Sequence, residues 1–371
     1  MRSSFSTRLA EIDLLRFAAA ASVLAFHFVE MKAWGDVRFE GLRKISTFGV
    51  YGVHLFFMIS GFVILMSVWG RTAGEFAVSR IARLYPAYWL SVGVLGALSL
   101  TGLYGPALAP WEILANLTMV QQGLGIRDLG AVYWTLWAEL RFYLLIGVLA
   151  LVGVTYRRCV IFMAGWLVLA LTATAAKSPL LEFLFMPWCA PYFIAGMALH
   201  LIHRAGSSAV PWAFVGVSWI LAVVEAVTEG GARVREYHGA AAGPYLIAGV
   251  LTLVFVVMAL AATGRLSRLR RLPSLVTLGA LTYPLYLLHL PVGALVIGAA
   301  APHLPKWAAL AAATLAALLV AHLVSSRLEP PAMRALRSAL TSSMVTIRQQ
   351  DAAAREVAGT QPLGTPSKVR A

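Results

Sequence analysis

Glu11–Glu30, EIDLLRFAAAASVLAFHFVE, is the stretch that decides the fold. At ~1.5 Å rise per residue, about twenty helical residues cover a ~30 Å hydrocarbon core, so this segment is long enough to span a bilayer. It nevertheless carries Asp13, Arg16 and His27. Near the centre of a spanning helix an ionisable side chain costs about 2.5–3.5 kcal/mol on insertion scales, so such groups face the interior of a bundle. Arg16 and His27 are eleven positions apart. Eleven steps of ~100° return to within about 20° of the start, which puts both side chains on one face, roughly 16 Å apart along the axis. That stripe is the expected wall of an active site.

Outward from this helix the same composition continues. Of 371 residues, 60% are hydrophobic and only 12% are charged. A soluble domain carries about 25% charged residues, so most of this chain belongs in a membrane. Hydropathy predicts an all-α, polytopic helical bundle of ten spans near 11–30, 48–68, 84–103, 132–153, 159–176, 186–203, 211–228, 242–262, 275–299 and 307–326. The net charge of +14 suggests nucleic acid at first sight, but its distribution argues otherwise. With the N-terminus inside, 19 Lys and Arg fall in inside segments and 9 in outside segments. The positive-inside rule then predicts both termini in the cytoplasm, with the basic excess facing anionic lipid and no nucleic-acid partner. Cys159 and Cys189 fall near opposite faces on these spans and are expected as free core residues. The first residues do not read as a cleavable signal peptide. A membrane domain over 1–332 is expected to precede a basic tail, 333–371, without fixed structure from about residue 345.

Several further stretches carry polar groups at membrane depth. FGVYGVHLFFMISGFVILMSVWG, in the second span, holds His54, Ser60 and Gly61; small residues here serve close helix packing, and His54 reads as a structural histidine. SRIARLYPAYW places Arg80 and Arg83 three apart on one helix face, so both guanidiniums can converge on one anion; topology anchoring is the plainer alternative. In AVYWTLWAELRFYLLIGVL, Glu139 and Arg141 point about 200° apart and cannot pair with each other, whereas Glu139 and Tyr143 share a face. Trp134 lies in the aromatic cluster toward the outer interface. Pro187 and Pro191 are expected to bend or open the sixth span. LVTLGALTYPLYLLHLPVGALVIG has prolines at 284 and 291, expected to break helix regularity, with Tyr283, Tyr286 and His289 following at a spacing of three. The outer loop from Glu229 to His238 has mixed charge and no site signature.

Taken in order, these motifs resemble the acyltransferase family 3 membrane proteins, integral-membrane O-acyltransferases of bacterial polysaccharides, nodulation factors, macrolides and other glycosides. The likeness runs from about residue 8 to 332. EIDLLRFAAAASVLAFH is similar to the family's opening helix, with its basic residue, ten intervening positions and histidine. VHLFFMISGFVI, SRIARLYPAYW, VYWTLWAELRFYLL, GALTYPLYLLH and the closing LEPP resemble its later segments. No appended hydrolase-like domain of the longer members is seen, so the reaction is expected within the membrane domain or through a separate protein that receives the acyl group.

The resemblance implies an O-acyltransferase that uses acyl-CoA, most often acetyl-CoA, as donor substrate, with no tightly bound cofactor and no metal. It implies a saccharide or glycoside acceptor and an inner-membrane location. Guanidiniums suit the phosphates of the donor, which assigns Arg80 and Arg83 to donor binding. Neutral imidazole, with an unperturbed pKa of about 6.5, suits proton removal from an alcohol, which assigns His27 as general base. Arg16 is expected to hold the surroundings of His27 or the CoA arm, and Glu139 to orient His27 or bind acceptor hydroxyls. Ser60, Trp134, Tyr283 and His289 complete the candidate substrate-binding set, with Ser60 as covalent acyl carrier ranked below direct transfer. A transporter or flippase would also have ten spans and buried charges, and a sensor could keep the scaffold without catalysis.

Overall fold

A computed structural model describes residues 9–35, 37, 39–230, 243–272 and 274–359. The chain is helical, with no strand among the described residues. In order come α1 (Ala10–Val29), α2 (Glu40–Ser46), α3 (Gly52–Val68), α4 (Ala73–Leu100), α5 (Pro110–Asn116), α6 (Tyr133–Val152) and α7 (Tyr156–Ala176). They are followed by α8 (Pro179–Phe185), α9 (Ala190–Ala205), α10 (Ala209–Glu225), α11 (Pro244–Ala262), α12 (Ser274–Ala300), α13 (Lys306–Leu323) and α14 (Glu329–Gly359). Ten helical stretches among the described residues are long and apolar enough to cross a membrane, matching the ten expected spans. The protein is a multi-pass membrane protein.

Small residues set the closest crossings. α3 and α9 meet where Gly61 faces Phe193 and Gly196 faces Met58: a Cβ on either glycine would strike the backbone carbonyl opposite. Without a hydrophobic drive between helices in lipid, such close backbone approach supplies the packing energy. α13 buries Ala309, Ala313, Ala317 and Ala321, one per turn, as a small-residue seam in the cluster formed with α1 and α12. α1 and α12 run parallel, with Asp13 beside Gly279 near one end and Phe28 beside Gly293 near the other.

Three features differ from expectation, and the break expected in the sixth span is present. The third spanning helix begins at Ala73, not near 84, so Arg80 and Arg83 lie two turns inside it and Pro86 sits mid-helix. Its start is fixed by a capping box in which Thr72 Oγ1 accepts from Glu75 N–H and Glu75 accepts from Thr72 N–H. The sixth span is divided between α8 and α9, with Pro191 in the first turn of α9. By contrast, Pro284 and Pro291 do not interrupt α12, which is continuous over 27 residues. The tail is helical as far as Gly359, well past residue 345: α14 lies along α4, with Met344 against Gly74. The outer-loop residues 231–238 and the final segment 360–371 lie outside the described residues. Cys159 and Cys189 are buried and free.

Candidate active site

A cavity of about 230 Å³ opens between α1, α3, α4, α6 and α12. Arg16 enters it from α1, Ser60 from α3, Arg80 and Arg83 from α4, Glu139 and Tyr143 from α6, and Tyr283 and Tyr286 from α12. Apolar neighbours such as Phe56, Phe57 and Leu84 complete the lining. The volume is below the ~300–1,000 Å³ typical of pockets that enclose a drug-sized ligand, and suits a narrow arm more than a whole nucleotide.

Several polar groups of the lining are hydrogen-bonded to one another or to backbone. Glu139 Oε1 accepts from Ser60 Oγ at 2.9 Å and from the Tyr143 hydroxyl at 2.5 Å. The i, i+4 relation of Glu139 and Tyr143 put them on one face, as expected. Both bonds land on the same carboxylate oxygen. Arg141 points elsewhere, donating to the Phe183 carbonyl at 2.8 Å and lying over the Trp137 and Phe183 rings. Thr135 Oγ1 donates to the Val132 carbonyl and therefore accepts from the Tyr286 hydroxyl at 2.8 Å. The Tyr283 hydroxyl donates to the Leu84 carbonyl at 3.1 Å, tying α12 to α4.

The two arginines of α4 differ. Arg83 Nη1 pairs with Glu329 at the start of α14, a carboxylate only 4% exposed. Arg80 Nη2 donates to Ser79 Oγ at 3.0 Å, while its buried Nε has no hydrogen-bond partner. Three guanidiniums thus border one small cavity, and the carboxylates near it are Glu139 on the wall, Glu329 behind Arg83 and Asp13 beside the lining Gly279.

His27 is not in the cavity lining, so the expected stripe is only half inside: Arg16 borders the cavity and His27 lies beyond it. Glu139 Oε1 meets Ser60 and Tyr143, and no hydrogen bond between Glu139 and His27 is found among the described residues. The ring partner of His27 is His289, Nδ1 to Nε2 at 2.9 Å, brought there by the parallel pairing of α1 and α12. His289 is 1% exposed. It follows the cavity-lining Tyr286 by one turn, about 4.5 Å of rise, and their ring centroids are 6.1 Å apart. The histidine pair therefore sits one helical turn past the end of the cavity. Trp134 is exposed, away from the lining, with its ring 5.7 Å from that of Trp188. Glu329 and Thr135 carry no role in the sequence reading; the signal available for the first is an acidic residue between an apolar span and two prolines.

A family model described as an acyltransferase domain matches residues 9–325. Acyltransferase MdmB of Streptomyces mycarofaciens is 29% identical over 366 residues, covering 89% of this chain and 92% of that protein. Exopolysaccharide production protein ExoZ of Rhizobium meliloti (strain 1021) is 29% identical over 304 residues, 78% of this chain and 90% of that one. Nodulation protein 10 of Rhizobium leguminosarum bv. viciae is 29% identical over 181 residues, 43% of this chain and 48% of that one. No solved structure matches the chain.

Proposed function

The chain belongs to acyltransferase family 3, matched over residues 9–325, and from that premise we propose that it moves an acyl group, most simply acetyl, from acyl-CoA to a hydroxyl of a saccharide or glycoside. The observation that carries this reading is the cavity that gathers Arg16, Arg80 and Arg83 and ends one turn from the His27–His289 pair. Acyl-CoA is a phosphate-rich head on a thin arm ending in a thioester. The head belongs among Arg80 and Arg83, where guanidiniums make charge-assisted bonds to phosphate. The arm belongs in the narrow cavity between Ser60, Glu139 and Tyr283, running toward Tyr286 and the histidines. Arg16 faces the arm or its pyrophosphate, and Glu139 Oε2 accepts a hydrogen bond from an amide or hydroxyl of a bound substrate.

Chemistry then proceeds by direct transfer. His27 removes the acceptor O–H proton as the oxygen attacks the thioester carbonyl carbon. The carbon–sulfur bond breaks, and the imidazolium returns its proton to the leaving thiolate, giving ester and free thiol with His27 neutral again. Saccharide acceptors are proposed because the relatives include an exopolysaccharide production protein and a nodulation protein. The charge distribution supports both termini, and the arginine end of the cavity, on the cytoplasmic side of the inner membrane.

The test is a proteoliposome assay with radiolabelled acetyl-CoA and a panel of saccharide acceptors. Ester and free CoA thiol should appear in equal amounts and depend on acceptor. Movement of acceptor across the bilayer with no thiol released would overturn the reading in favour of transport.

A further inference from the structure

The two histidines carry more than proximity. We propose that His289 is the positioning residue that holds the proton of His27 on Nδ1, leaving Nε2 of His27 as the basic nitrogen; this rests on the reading of His27 as general base. The order of protons follows from what each nitrogen faces. His289 Nδ1 lies 3.1 Å from the Leu285 carbonyl and 2.9 Å from the Tyr286 carbonyl. Carbonyl oxygens only accept, and a neutral imidazole has one N–H, so that hydrogen sits on Nδ1 of His289. Its Nε2 is then a lone pair. His27 Nδ1 stands 2.9 Å from it and must donate. The reverse order would aim the Nδ1 lone pair of His289 at two carbonyl oxygens and leave a buried ring nitrogen unsatisfied, which is costly. A second proton on His289 would bury a cation whose three polar partners are two carbonyls and an imidazole, with no carboxylate among them.

The device is local to α12. The acceptors lie three and four residues back, about one turn, on the helix that carries His289 itself, so its tautomer is set by the helix backbone. That fixed tautomer is passed across to α1 through a single hydrogen bond. A base needs its lone pair on the nitrogen that meets the substrate, and the nitrogen that meets the substrate is chosen by what the other one is bonded to. His289 does not need to touch acceptor or donor to do this. It also adds no charge, unlike a carboxylate in the same place, which suits a site surrounded by apolar rings: Phe26 is 5.0 Å from the His27 ring and Phe28 is 6.2 Å from that of His289.

Two variants and one spectroscopic readout test the assignment. His289→Leu removes the acceptor and keeps the bulk; kcat should fall by roughly 10²- to 10⁴-fold, the range of a general-base contribution, with KM for acetyl-CoA unchanged. His289→Gln restores an acceptor oxygen near the place of Nε2 and an N–H toward the helix carbonyls, so turnover should recover to within roughly tenfold of the parent. Solid-state ¹⁵N spectra of histidine-labelled protein, with His27 assigned by its loss in His27→Ala, should show Nδ1 protonated in the parent and in His289→Gln. In His289→Leu the His27 signal should shift toward Nε2 protonation. An Nε2-protonated His27 in the parent, or full turnover in His289→Leu, overturns the proposal. If His27 is Nδ1-protonated but His27→Ala still transfers acyl groups, the hydrogen-bond order stands and the base assignment falls.

Discussion

Arg83 serves two masters, and removing it should have two separable effects. Its guanidinium borders the cavity and also pairs with Glu329, which is 4% exposed against 29% for Arg83. Arg83→Ala therefore strands a buried carboxylate. Breaking a fully buried pair costs about 3–5 kcal/mol, and the half-buried arginine puts the expected loss here toward the low end. The same variant loses a charged hydrogen bond to donor phosphate, worth about 1.5–3 kcal/mol, or roughly 10- to 150-fold in acetyl-CoA affinity. A double variant separates the two. In Arg83→Ala/Glu329→Gln the uncompensated charge is gone, so the thermal midpoint in detergent should return toward the parent while affinity stays low. Arg80 has no carboxylate partner among its contacts, only Ser79 Oγ and the Phe76 ring. Arg80→Ala should weaken acetyl-CoA by a similar factor with little change in midpoint. The assay pairs thermal unfolding with acetyl-CoA titration by calorimetry on the same four proteins. Parent-like affinity in folded Arg83→Ala and Arg80→Ala would leave both arginines as anchors of the helix end. An unchanged midpoint in Arg83→Ala would refute the ion-pair argument.

Other expectations follow from packing, chemistry and charge. Gly61→Ala drives a methyl into the Phe193 carbonyl, so folded protein recovered from membranes should drop sharply, while Gly93→Ala, with open space at its Cβ, should not change it. Ser60→Ala removes one of two donors to Glu139 and should lower turnover by about tenfold or less, whereas a covalent acyl carrier would lose it entirely. Reporter fusions after Lys177 and after Arg271 should report opposite sides of the membrane; the same side for both would contradict the alternating arrangement of the later spans.

How much of this was legible in sequence depends on the range of the interaction. The ten spans were readable because a bilayer imposes one length and one composition on each. The shared face of Arg16 and His27, and that of Glu139 and Tyr143, followed from helical period alone. The start of α4 was missed because its first turns are amphipathic and not apolar, although the Thr72–Glu75 capping box marked it. Pro284 and Pro291 were expected to break α12 because proline removes a backbone donor; the helix is continuous through both, packed against α1 and α13. What periodicity does not contain is the register between helices. His27 meets His289 across 262 residues, and Ser60 meets Glu139 across 79. From sequence Glu139 is expected either to orient His27 or to bind acceptor hydroxyls, and only the placement of α1 against α12 brings His289 Nε2 to 2.9 Å from His27 Nδ1. Trp134, drawn in by its aromatic neighbours, faces away from the cavity.

His27 Nδ1 stands 2.9 Å from His289 Nε2 across the interface of α1 and α12. As general base it should contribute about 10²- to 10⁴-fold to the chemical step. The direct measurement is acyl transfer per folded molecule for His27→Ala and His27→Gln, with acetyl-CoA binding measured on the same preparations. Both variants should insert, bind donor like the parent and lose nearly all transfer, because glutamine can hydrogen-bond to His289 but cannot take up a proton at neutral pH. Near-parental turnover in His27→Gln would contradict the account and leave His27 a structural partner of His289.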